Sequence, residues 1–390
     1  MEQALSGFRV IDFGHYIPGP YTAMLLAEQG AEVIKVERPE GDPARGDPGF
    51  MVWNRSKKSI KLDLKKDQGV RIALELIKKA DVMIENFRPG VADRLGIGFE
   101  QIQKINPKAI YCSISGFGPK GPYRDRPGWD PLVGTLSCAF VEHGGGVEYP
   151  PLYLVNPLPS HYAAFMAAFS ITTALFAREF TGKGQRVDIS LFASMLGAAS
   201  SGLVDFSGRF RIPWSNPQGS LPLYKFYQGG DGKWFFLGLG NVTFFTKFAI
   251  AMEHEEWLAD PRFEGAPFLI FPPISDEIIA LFKEIFLTRT RDEWLDFLQS
   301  EDIPCAAALP VEEFLDDPQV KANDMVVEVE EPGLGPVREM GIPVKLRGTP
   351  GEVRGRSPKL GEHTQEILTT LLGHSDEEIA GFKREELIGG

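Results

Sequence analysis

Cysteine is nearly absent from the 390 residues: Cys112, Cys138 and Cys305 form an odd, widely spaced set that supplies neither a disulfide framework nor a zinc-type pair. A reducing, cytoplasmic setting is expected. The six histidines (His15, His143, His161, His254, His363 and His374) show no H-E-x-x-H or other ligand spacing, so no metal is expected. G-x-G-x-x-G is missing from the first strand-to-helix loop, DFGHYIPGPYTA, and G-x-x-x-x-G-K-[ST] is missing too. These absences argue against a nicotinamide enzyme and against a phosphate-cradling P-loop. Basic residues are outnumbered, with 41 Lys and Arg against 53 Asp and Glu and a formal charge of −12. General binding to nucleic acid or to an anionic membrane is therefore not expected. The most apolar run, Tyr162 to Ala177, spans 16 residues, short of the roughly 20 of a membrane span, and reads as a buried helix. The N-terminal stretch MEQALSGFRVIDFG has no basic segment followed by an apolar one, so no secretory signal is expected.

What is present is ordinary globular composition, 43% hydrophobic and 24% charged, in a chain long enough for two compact units. Short β-rich runs at 8–13, 32–37, 58–63, 81–86, 109–115 and 185–191 alternate with helical patterns such as PGPYTAMLLAEQG and DQGVRIALELIKKA. That rhythm predicts an α/β fold with a parallel, doubly wound, Rossmann-like sheet. In such sheets ligands sit beyond the carboxyl ends of the strands, so function is expected in the loops after residues 13, 37, 63, 86 and 115. A change of texture near residue 205 predicts a large domain over 1–204, a smaller α/β domain over 205–320, and a tail, 321–390, that returns to the first domain.

Residues 35–66 carry nine bases against five acids. A solvated surface of mixed charge and a site for a phosphorylated ligand both fit this count; its place at the expected ligand edge favours the site.

Longer motifs make the sequence recognisable: PGPYTAMLLAEQGAEVIKVERPEGD (18–42), NRSKKSIKLDL (54–64), ADVMIENFRPGVADRLGI (80–97), INPKAIYCSISGFGPKGPYRDRPGWD (105–130) and FAREFTGKGQRVDISL (176–191). The chain resembles the class III CoA-transferases, the carnitine and bile-acid CoA-transferase family that includes formyl-CoA transferase and α-methylacyl-CoA racemase. The resemblance implies coenzyme A, bound as an acyl-CoA substrate, together with an acceptor carboxylic acid and an interlocked homodimer. It also implies a CoA site in which Arg38 meets the nucleotide phosphates and Lys61, Leu62, Asp63 and Leu64 flank the adenine. Asn86, Phe87, Arg88 and Arg94 continue that site, with His15 and Tyr16 near the pantetheine arm. Taken alone, Asn86 and Phe87 also read as a strand terminus and a core aromatic.

One position departs from the family. Its nucleophilic aspartate lies 19 residues ahead of the Glu of the A-R-E-x-T-G-x-G-Q motif, here Glu179, and residue 160 is Ser. No acidic residue occurs between Tyr149 and Arg178, so a small shift of alignment does not restore it. Serine cannot carry CoA as an activated carboxyl does, and Ser160 reads most simply as a helix N-cap. His161 is a candidate base, although adjacent helical residues do not face each other. Where the racemase branch has G-H-D this chain has Gly128, Trp129 and Asp130; Asp130 reads either as a group near the thioester or as a helix cap. Ser160, His161 and Asp130 are the candidate catalytic residues. Three functions remain open: transfer of CoA between carboxylic acids; acyl-CoA lyase, hydrolase or isomerase chemistry without a covalent carboxylate; and CoA-ester binding without turnover.

Overall fold

A computed structural model of the chain describes residues 2–143, 150–199, 203–208 and 221–388. Six strands, β1 Arg9–Asp12, β2 Glu32–Glu37, β3 Lys58–Lys61, β4 Val82–Glu85, β5 Ile110–Ser115 and β6 Arg186–Ser190, form one sheet in the order β3-β2-β1-β4-β5-β6. Every neighbouring pair is parallel. Val10, Ile11, Val33, Ile34, Val82, Met83 and Ile84 are all buried, as a sheet covered on both faces requires. The strand order reverses between β1 and β4, the point at whose carboxyl edge ligands of such sheets sit. The six β-rich runs of the sequence are these six strands, and the expected α/β class holds.

The helices up to residue 198 are α1 Pro18–Glu28, α2 Gly49–Asn54, α3 Asp67–Lys78, α4 Val91–Arg94, α5 Phe99–Ile105, α6 Asp130–Leu136, α7 Ala139–His143, α8 Leu158–Thr181 and α9 Leu191–Ala198. α1 opens on Pro18, whose fixed φ suits a first turn. α3 buries Ile72, Ala73, Leu76 and Ile77, the spacing of one helical face. The run read as a 16-residue buried helix is in fact the 24-residue α8, long and apolar enough by length and composition to cross a membrane. It packs against α1 and α9 through Ala163, Ala164, Ala167 and Ile171. Phe165, Phe169, Phe176 and Phe180 lie exposed, so only part of the run is buried.

Contacts divide the chain into two units, Met1–Ser137 with Val155–Val204 and Lys321–Gly390, and Cys138–Leu154 with Asp205–Val320. Residues 138–143 and 150–154, expected in the first domain, group by their contacts with the second unit, where the Phe140 ring packs edge-on to Tyr153. The second unit holds an antiparallel sheet of β7 Tyr224–Gln228, β8 Trp234–Gly238 and β9 Cys305–Ala307. Its core includes Tyr227, Phe235, Phe248, Phe282, Phe286 and Trp294. Tyr227 is therefore a core residue.

In the first unit the last part of the chain forms a hairpin, β10 Val326–Glu331 and β11 Gly335–Met340, and then runs along the edge strand β3. Ser59 N–H donates to His363 Nδ1 at 3.2 Å and Lys61 N–H to Thr364 Oγ at 3.2 Å. Asp63 N–H donates to the Leu387 carbonyl at 3.1 Å. The edge is thereby covered, and Ile367, Leu368, Ile379, Phe382, Leu387 and Ile388 complete the core that Ile34, Ile60 and Ile72 begin.

Candidate active site

The β1–α1 loop is fixed by side chains that grip its backbone. Asp12, fully buried at the end of β1, accepts the Gly14 N–H at 2.7 Å and the Lys57 ammonium at 2.8 Å. Lys35 Nζ, also fully buried, donates to the Gly14 carbonyl at 2.8 Å and to Asp42 at 2.9 Å. Asn86 takes both sides of the next residue: His15 N–H donates to its Oδ1 at 2.8 Å and its Nδ2 donates to the His15 carbonyl at 2.9 Å. Asp42 accepts the Tyr16 N–H at 3.1 Å. These bonds offset the cost of the left-handed conformation of Tyr16, φ 58°, on the order of 1–3 kcal/mol. Gly19 permits the close return of α1, since a Cβ there would stand 2.8 Å from Gly14 Cα.

Burial lowers the Lys57 ammonium to about 8, opposed chiefly by Asp12, so at neutral pH it remains charged. Its three protons are matched by Asp12, the Pro20 carbonyl and Asn54. Burial, and then Lys35, push His15 below its ordinary value, which leaves a neutral imidazole at neutral pH.

The basic stretch 35–66 is not the open patch its charge count suggested. Lys35, Arg55 and Lys57 are fully buried in ion pairs, Arg55 with Glu28 and Glu339. Arg45 holds Glu37 at 2.6 Å, and Lys58 reaches Glu32 and Glu366. A charge count misses this because Asp12, Glu28 and Glu339 lie outside the stretch. Arg38 and Lys65 do reach the crevice.

A cavity of about 540 Å³ lies at the ends of β1, β2, β3 and β4, lined by His15, Tyr16, Arg38, Leu62, Asp63, Leu64, Lys65, Asn86 and Phe87 among others. Arg38 is half exposed and donates through Nε to the Gly41 carbonyl at 2.8 Å. The His15 and Phe87 rings stand 5.5 Å apart. Lys61 and Arg94 fall outside this lining, whereas Leu95 lies within it. Arg88 lines two neighbouring cavities instead.

A second cavity, about 290 Å³, adjoins the first and shares Tyr16 and Asn86 with it; Asp47, Trp53, Arg88, Ser115, Trp129, Asp130 and Ser160 also line it. Two backbone loops meet here so closely that a Cβ on Gly116 would stand 2.4 Å from Gly128 Cα. This approach sets the first residue of α6, Asp130, beside the end of β5. The residue before α8 is Pro157, which offers no side-chain cap. Asp130 supplies one from another helix: its Oδ1 accepts the Ser160 N–H at 2.8 Å and its Oδ2 accepts the Ser160 Oγ–H at 2.8 Å. Ser160 is therefore the capped residue in the first turn of α8, and not the N-cap that its sequence position suggested. Asp130 caps α8, and not the helix it begins.

His161 lies elsewhere. Its ring packs 5.4 Å from Tyr21 and 6.4 Å from Trp53, and it is not among the residues lining the cavity that holds Ser160. Burial lowers its basicity. A third cavity, about 190 Å³, shares Arg88 and Ser115 with the second and adds Glu85, Arg124 and Arg186. Burial raises the Glu85 carboxyl to about 7, against hydrogen bonds from Ser113 and the Phe87 N–H. Sequence reasoning missed Asp12, Asp42, Asp47, Lys57 and Glu85. A signal for the clamp exists only in the fold, since Lys57 stands 45 residues from the Asp12 it pairs with.

The chain is 35% identical over 420 residues to a formyl-CoA:oxalate CoA-transferase of Bradyrhizobium diazoefficiens, covering 98% of this chain and 97% of that protein. It is 32% identical to a succinyl-CoA–D-citramalate CoA-transferase of Chloroflexus aurantiacus over 98% of both. A CaiB/BaiF family protein from Brucella suis has a similar crystal structure, with TM-score 0.82 and 29% identity, covering 95% of this chain and 100% of that one. The sequence profile of CoA-transferase family III matches residues 5–364, and the chain belongs to that family.

Proposed function

We propose that this protein binds an acyl-CoA along the carboxyl edge of its parallel sheet and moves the CoA to a second carboxylic acid. One observation carries this reading: the cavity behind Arg38 and the cavity that holds Asp130 and Ser160 share Tyr16 and Asn86. A ligand with a charged nucleotide at one end and a reactive thioester at the other matches such a pair. Arg38 and Lys65 meet phosphate, Leu62, Leu64 and Phe87 offer apolar surface to the adenine and the pantetheine arm, and the thioester reaches Asp130. The relatives named above are CoA-transferases by name, which supports transfer over other acyl-CoA chemistry. A short dicarboxylic acid is the acceptor class favoured here, because Arg88, Arg124 and Arg186 surround the small cavity next to the reaction centre.

Serine at position 160 favours a second reading, acyl-CoA lyase, hydrolase or isomerase chemistry without an acceptor. Incubating the protein with formyl-CoA, succinyl-CoA and longer acyl-CoAs, with and without dicarboxylic acids, and following products by mass separates the readings. Acceptor-dependent exchange is expected. Acceptor-independent conversion supports the second reading, and binding without conversion reduces the protein to a CoA-ester binder. The interlocked homodimer implied by the family resemblance is part of this proposal, supported by the exposed phenylalanines of α8.

A further inference from the structure

We propose that the Asp130 carboxylate is the group through which the acyl chain and then the CoA pass, with Ser160 as its positioning residue. This rests on the reading of the protein as a CoA-transferase. Exchange of CoA between two acids without an external energy source requires each covalent stage to be about as activated as a thioester. A carboxylate nucleophile satisfies that requirement through an anhydride and a thioester, whereas a seryl ester lies lower and traps the acyl group. Two carboxylates, Asp47 and Asp130, line the cavity among the described residues. Asp47 is exposed and accepts the Gly49 N–H at 2.7 Å within its own turn. Asp130 is half-buried and lies one hydrogen bond, 2.8 Å, from the side chain at position 160, where the sequence motifs place the family's aspartate.

The chemistry balances with no other reactant. An Asp130 oxygen attacks the thioester carbonyl of the donor; a C–O bond forms, the C–S bond breaks, and CoA leaves as its thiolate. The thiolate then attacks the aspartyl carbonyl of the mixed anhydride. The donor acid departs as its carboxylate, and an aspartyl-CoA thioester remains. The acceptor carboxylate runs the same two steps in reverse, which yields acceptor-CoA and restores Asp130. No proton or electron enters the sum. In each step where the aspartyl carbonyl is attacked, the Ser160 N–H and Oγ–H, at the amino end of the 24-residue α8, face the oxygen on which charge develops.

The trap is hydroxylamine, added to the full-length protein with formyl-CoA or succinyl-CoA and no acceptor, followed by proteolysis and peptide mass mapping. An activated aspartyl carbonyl is captured as its hydroxamate, and the expected site is Asp130. A hydroxamate on Asp47, an acyl ester on Ser160, or no adduct with a donor that the protein exchanges overturns the proposal and leaves the transferase reading standing. Failure of exchange with every donor removes both. Asp130→Asn keeps a carbonyl oxygen for the Ser160 N–H, so the cap and the melting temperature hold, and exchange is expected to fall at least about a hundredfold. A smaller loss in the folded variant overturns the proposal. Ser160→Ala, which removes one donor to the carboxylate, slows exchange roughly tenfold with the hydroxamate still on Asp130; loss of that adduct speaks against the assignment.

Discussion

Glu85 ends β4 with its carboxyl in a polar, arginine-lined cavity, where it accepts the Phe87 N–H at 2.8 Å and the Tyr111 hydroxyl at 3.3 Å. Its carboxyl is raised from 4.5 to about 7, burial being the main cause. Between these two values the folded chain holds a proton that the unfolded chain has lost. Stability therefore falls as pH rises through the window, and the penalty is complete above it. Glu85→Gln removes the titration. Relative to the natural protein it is expected to melt higher near pH 8, by at most about 3 kcal/mol, and to show no gain near pH 4. Denaturant titrations at the two pH values measure this, and an equal effect at both contradicts the assigned protonation. At the residue scale His15, Tyr16, Arg38, Leu62, Asp63, Leu64, Asn86 and Phe87, singled out by motif, all line one cavity, whereas Lys61, Arg88 and Arg94 of the same motifs fall outside it. The sequence was illegible where long-range pairing decides charge. Lys35, Arg55 and Lys57 read as surface bases, and the fold buries each against a carboxylate.

Elements deliver these residues through a few close backbone approaches. Gly116 follows β5 and Gly128 precedes α6, and a Cβ on Gly128 would stand 2.3 Å from Gly116 Cα. Any side chain there separates the loops and draws Asp130 away from Ser160. Gly128→Ala is expected to cost roughly 1–3 kcal/mol and to lower acyl-CoA exchange at least about tenfold. Thermal melts and the exchange assay check both, and an active variant of unchanged stability shows that the loops part without moving the carboxylate. Strand positions were readable from short β-branched runs such as EVIKVE, in which Val33, Ile34 and Val36 are buried. The extent of α8 was less readable, because Leu158 and Pro159 start it before the apolar run and Arg178 and Glu179 extend it beyond. The cap from Asp130 left no sequence signal at all, since it joins residues 30 apart on different helices.

Across the whole molecule, α8 presents Phe165, Phe169, Phe176 and Phe180 outward, with Phe169 68%, Phe176 67% and Phe180 75% exposed. So much apolar surface on one helix face suits burial against a second copy. Light scattering on the purified protein is expected to give twice the chain mass, and Phe169→Glu with Phe176→Glu to shift it to the monomer or into aggregates. A monomeric natural protein, or a double variant of unchanged mass, speaks against this face as the interface.

Arg55 sits between Glu28 and Glu339, and Ser59 of β3 and Asp63 just beyond it donate their N–H groups to His363 and Leu387. In chain order Glu339, His363 and Leu387 follow the second unit. The second unit has all of its residues once Val320 is made, while the first still lacks a neighbour to its open strand and the second counter-ion to its buried guanidinium. The piece inserted into the chain is therefore complete in sequence before the first unit has the residues that shield its edge strand.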